Sequence, residues 1–111
     1  MPLELAYVID VVAFDAATGD VVLVMTEERP WDGSDERLFQ LQEKVNAYLS
    51  FALDGEMLEN YPQAAGKGIR LRLKCADEPD ARTLRFIAMI RKQIAYQYIA
   101  FEVAAGHFGK K

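Results

Sequence analysis

Between Gly68 and Ala76 the chain alternates without a break: Ile69, Leu71, Leu73 and Cys75 are apolar, and Arg70, Arg72 and Lys74 between them are charged. A period of two is that of a β-strand with one face buried and one face wet. Helices on both faces of the sheet would call for a strand apolar at every position. The segment therefore commits the chain to a sheet covered on one side only.

The other segments fit around that strand. Tyr7 to Phe14 and Val21 to Thr26 are rich in Val, Ile and aromatic residues, and the turn chemistry of Thr18-Gly19-Asp20 between them predicts an antiparallel hairpin. Pro30 and Asp32-Gly33-Ser34 break the second strand, and Ser34 or Asp32 can accept from the free amides of a following helix. In that helix Leu38, Leu41, Val45, Tyr48, Leu49 and Ala52 form one stripe that ends at Asp54-Gly55, with Phe39 and Phe51 lying off it. Residues 56–66 read as an irregular loop with a short helical turn near Met57 and Leu58. After the alternating strand, Asp77-Glu78-Pro79-Asp80 opens a second helix with a stripe of Leu84, Ile87, Ile90 or Arg91, Ile94 and Tyr98. A last strand alternates through Ile99, Phe101 and Val103.

The order is ββαβαβ. Right-handed crossovers stepping the same way across a sheet place their helices on the same side. The predicted fold is α+β: a two-layer sandwich in which a four-stranded mixed sheet carries two helices on one face and exposes Arg70, Arg72, Lys74 and Glu102 on the other. A length of 111 residues, 51% of them hydrophobic, is enough for one core. Residues 1–105 read as a single domain and residues 106–111, with the sole histidine His107, as a loose tail.

Composition narrows the function classes. With 17 acidic against 13 basic residues, a net charge of −4 argues against general affinity for nucleic acid or acidic membranes. The Arg70, Arg72, Lys74 row lacks the aromatic platforms of a single-strand binder and reads as a solvated face paired with Glu102. Cys75 is the only cysteine, so the chain has no internal disulfide. With no basic leader and no long apolar run, the expected location is the cytoplasm.

Chemistry would sit at the carboxyl ends of the parallel strands, where α/β proteins keep their sites. That rim gathers Glu27, Arg29, Trp31 and Asp32 from the first loop and Asp77 and Glu78 from the second. Carboxylates there serve helix amides and dipoles in the leading reading. In the alternative they hold Mg²⁺ or a similar cation in a metal-dependent hydrolase. Glu27-x-Arg29 after Asp10 and Asp20, followed by Gln40, Gln42 and Tyr48, loosely resembles the PD-(D/E)xK nuclease core. However, Arg29 stands where that chemistry uses a lysine, and a guanidinium does not give up its proton. Trp31 reads as a cap over the core, or as an anchor for a partner. Gly66-Lys67-Gly68 precedes a strand and is a turn, not a phosphate loop. No catalytic residue, cofactor or resident metal is assigned.

The stretches Ile9-Asp10-Val11-Val12-Ala13-Phe14-Asp15 and Thr18-Gly19-Asp20-Val21-Val22-Leu23-Val24-Met25-Thr26-Glu27, continuing through Arg29-Pro30-Trp31 to Leu41-Gln42-Glu43-Lys44-Val45-Asn46-Ala47-Tyr48, resemble an uncharacterised family of small bacterial proteins with a domain of unknown function. The resemblance runs from about Leu5 to Val103 and implies no activity. The expectation is a non-enzymatic protein that works through contacts with an unidentified protein or a second copy of itself. Phe39 and Phe51, off the helix stripe, are its interface candidates; in the alternative the loop from Glu56 to Ala65 folds over them.

Overall fold

The computed structural model describes Ile9 and residues 11–105. Its elements are β1 (Val11–Phe14), β2 (Val21–Glu27), α1 (Asp35–Leu53), a short α2 (Glu56–Asn60), a 3₁₀ turn (Pro62–Ala64), β3 (Ile69–Cys75), α3 (Ala81–Ala95) and β4 (Ile99–Ala105). The strands lie side by side in chain order. β1 is antiparallel to β2, whereas β2, β3 and β4 are parallel, as the two helical crossovers require.

Register explains the alternation. Leu23, Leu71 and Phe101 form one cross-strand row, and Val21, Ile69 and Ile99 form the next. These residues share one core with Leu41, Val45 and Tyr48 of α1 and with Ile87, Ile90 and Ile94 of α3. The opposite face carries the row Val24, Arg72, Glu102. The predicted one-sided α+β sandwich is what the chain forms, and His107, the tail 106–111 and Asp10 lie outside the described residues.

The caps behave as their residue types predict. Ser34 Oγ accepts from the Arg37 amide at 3.2 Å, and Asp32 accepts from the Ser34 amide at 3.0 Å. Asp80 caps α3 through the Thr83 amide and hydroxyl. Those bonds, that of the Thr83 hydroxyl foremost, hold the Asp80 carboxyl below its ordinary range. At the middle of β2, the Tyr48 hydroxyl donates 2.9 Å to the Val24 carbonyl, which gives the polar end of a buried ring its partner. On the far edge, exposed Arg91 reaches from α3 to donate 2.9 Å to the Phe101 carbonyl.

Three expectations change. Residues 56–66 hold a 3₁₀ turn as well as the helical turn expected near Met57 and Leu58, and Met57 and Ala64 are buried in the core that holds Phe51. The buried stripe of α3 is Thr83, Ile87, Ile90 and Ile94, whereas Leu84 and Tyr98 face solvent. Finally, Val22 and Val24 are buried although they point away from the helices. Their register neighbours are Ala13 and Arg70, and Val11 and Arg72, so arginine stems provide apolar cover on the wet face.

That cover is held in place by charge. Arg70 donates to Glu102 at 2.7 Å and to Asp15, with Asp20 3.2 Å from its Nε, and Arg72 donates to Glu102 at 2.9 Å. Burial raises the Glu102 carboxyl, but the two guanidiniums more than offset it and leave it below its ordinary value.

Tyr98 is the one described non-glycine residue with positive φ, at 62°, and it is 92% exposed. The left-handed conformation costs an L-residue roughly 1–2 kcal/mol, while glycine adopts it freely but loses more entropy on folding. A Tyr98→Gly variant is therefore expected to be more stable by about 0.5–1 kcal/mol, read as a higher urea midpoint with the slope unchanged.

Candidate functional site

The predicted rim is present but does not converge. Glu27, the last residue of β2, is on the core face and has no exposed surface. Its carboxylate takes both forks of Arg29, Nε to Oε2 and Nη2 to Oε1, each at 2.8 Å, together with the Arg29 amide. Arg37 approaches to 3.9 Å. Burial pushes the Glu27 carboxyl up, yet the bonds from Arg29 and the charges of Arg29 and Arg37 outweigh it, so the group stays ionised below its ordinary range. Arg29 in turn holds Gln40 at 3.0 Å. The pair is an inward structural tie between β2 and α1.

Trp31 packs partly buried against the core, with the Arg37 guanidinium 5.8 Å from its ring centroid. Arg37 also donates 2.8 Å to the Pro30 carbonyl and lies 3.7 Å from Asp32. Trp31 is thus a cap over the core, with its indole nitrogen buried. Beneath it, burial pushes the Cys75 thiol up to about 12; the Trp31 N–H acts against this and the Glu27 and Glu78 charges add to it. A thiol held protonated in this way is a core residue and not a nucleophile.

Asp32 is held low chiefly by the Ser34 amide, and Asp77 and Glu78 face solvent. Among the described residues, no three His, Cys, Asp or Glu side chains are placed to share a metal ion. Glu27, Asp32, Asp77 and Glu78 therefore occupy one end of the sheet without forming a ligand set.

The interface candidates separate. Phe51 is 7% exposed, sealed by α2 and the 3₁₀ turn, and belongs to the core. Phe39 is 65% exposed. It forms one wall of a groove of about 570 Å³ between α1 and α3, with Leu38 and Phe86 lower in the groove and Met89 opposite. Arg82 closes one end by pairing with Asp35 and by donating 2.6 Å to the Gly33 carbonyl. Gln42 and Arg85 complete the lining. A smaller cleft of about 200 Å³ lies beside Ile9 and Phe51.

Sequence reasoning missed the α3 half of this groove. Phe86 and Met89, three apart and off the buried stripe, were the available signal, because that spacing puts them on one helix face. It missed Arg37 and Lys44 as well, both buried on α1 among apolar neighbours, Lys44 with its ammonium 5.4 Å from the Tyr48 ring centroid. The groove carries one carboxylate, Asp35, which is paired with Arg82, beside the apolar Leu38, Phe39, Phe86 and Met89.

Residues 1–107 match the model of a protein family described as a family of unknown function (DUF6572). No curated protein and no solved structure matches the chain.

Proposed function

We propose that the chain, which belongs to this family of unknown function, works without catalysis, through contacts with protein, and that the α1–α3 groove is its working surface. One observation carries the reading: Phe39, on the first helix of a small domain, stands 65% exposed at the wall of an apolar groove. A large aromatic held in water beside further apolar surface is the usual form of a contact anchor. A lone, buried, unpaired Cys75 suits a reducing compartment and supports the cytoplasm as the place of action.

The test is the native size of the tagged chain in gentle extracts of cells that produce it. The wild type should elute well above its 12.5 kDa chain mass, and Phe39→Asp should elute as the free chain. Equal elution of the two proteins would sink the reading. The substitution is at an exposed site and should change stability by no more than about 0.5 kcal/mol, which thermal denaturation checks.

A further inference from the structure

We infer that the groove's occupant is a second copy of the same chain, placed by a two-fold axis running along the groove. This rests on the reading of the groove as a contact surface. The second and independent observation is the charge on either side of it.

The outer side of α1, beside Phe39, carries exposed Glu36 and half-buried Glu43, and the solvent ridge of α3, beside Met89, carries Arg85 and Lys92. None of these four makes a hydrogen bond or ion pair among the described residues. The helical layer therefore has an acidic flank, an apolar centre and a basic flank. Both helices return from one parallel strand to the next, so they run in the same direction.

A two-fold axis along the groove sets α1 of one copy over α3 of the other, so that each acidic flank meets a basic one. A two-fold axis across the helices would stack α1 on α1 and oppose like charges, which is unfavourable. The heights agree as well. Asp35 and Arg82, 47 positions apart, mark one level of the two helices. On that offset, Glu36 comes within two residues of the level of Arg85, and Glu43 within two of Lys92, about 3 Å at the helical rise and within reach of these side chains. The axis also brings each Phe39 over the partner's Phe86 and Met89, giving the self-complementary contact that a two-fold dimer needs.

Sedimentation equilibrium of the purified full chain at micromolar concentration and low salt tests the assignment. The expected result is twice the chain mass, with Phe39→Asp monomeric. Charge reversal supplies the second arm. Glu43→Lys and Lys92→Glu should each weaken association about tenfold, since every pair occurs twice in the dimer, and the double variant should recover most of the loss. Raised salt should weaken the wild type and leave the double variant's relative recovery in place.

A purified wild-type chain that stays monomeric overturns the second copy as occupant. If Phe39→Asp still changes the native size in extracts, the groove keeps its contact role with another protein. A dimer indifferent to all three variants also overturns the assignment, since its contact then lies elsewhere. If the extract assay is indifferent too, the contact reading falls with it.

Discussion

An Arg29→Met variant is expected to lose about 3 kcal/mol of unfolding free energy at neutral pH. Removing one partner of a buried ion pair leaves a charge that can be neither solvated nor neutralised cheaply, at roughly 3–5 kcal/mol. Arg29 is about a third exposed and Arg37 remains 3.9 Å away, which favours the lower end. The sign with pH follows from Glu27, whose folded pKa is depressed below its ordinary 4.5. In the parent chain its contribution is fully present above the unfolded value and is lost as pH falls through the folded one. In the variant the bare buried carboxylate is penalised at neutral pH, and acid relieves the penalty by protonating it. The difference between the two proteins should therefore be largest near neutrality and shrink below about pH 4. Urea titrations at several pH values measure it. Adding Glu27→Gln to the variant should return part of the lost stability, because a neutral amide tolerates burial better than a lone carboxylate.

Ile87→Ala and Leu84→Ala, three positions apart on α3, are expected to diverge sharply. Ile87 is fully buried at the middle of the helix's core-facing stripe, and its truncation should cost about 3–4 kcal/mol, the transfer loss plus the cavity left behind. For a domain of this size that is a fall in Tm of roughly 15–25 °C. Leu84 is 48% exposed, and its replacement by alanine, the best helix former, should cost less than about 1 kcal/mol. Thermal and urea denaturation of the two variants decide the matter, with the slope in urea unchanged in both. Equal losses would mean that α3 is rotated about its axis relative to the sheet.

Those two leucine and isoleucine positions also show where sequence reading succeeds and where it stops. Strand identity in β3 was legible because Arg70, Arg72 and Lys74 have only one face on which to remain in water. The α3 stripe was legible through Ile87, Ile90 and Ile94 but not at its ends. Leu84 follows the fully buried Thr83, about 100° further round the helix and so off the core face, and Tyr98 lies past the helix end at Ala95 with a left-handed backbone. Thr83 enters the core because Asp80 satisfies its hydroxyl at 2.6 Å, and hydropathy alone gives no sign of such a bond. Val22 and Val24 mislead in the opposite sense. A fully apolar β2 suggests cover by helices on both faces, and the cover is in fact the stems of charged side chains on the neighbouring strand.

The candidate surface divides along similar lines. Phe39 and Phe51 both lie off the α1 stripe at the level of periodicity, and their separation depends on where residues 56–66 go. That segment has too few residues for a clear helical period, so the sequence left open whether it folds over both rings; Phe51 is buried in the core with Met57 and Ala64, and Phe39 is 65% exposed. The residues of the acidic rim follow from the strand ends, whereas the pairing of Glu27 with Arg29 does not. β2 ends at Glu27, and the bend at Arg29 brings both its amide and its guanidinium onto the carboxylate two residues back, a local fold that residue spacing does not announce.

The bond from Arg91 to the Phe101 carbonyl has a bearing on how crowded solutions of this chain behave. β4 is the last strand of the sheet, and a bare last strand is a template on which a further main chain can lay itself, without a limit to the number of additions. Here a guanidinium already engages the middle of that template. An incoming chain would first have to strip it away, breaking the ladder into short lengths. Addition of a further chain at this edge is discouraged at its first step.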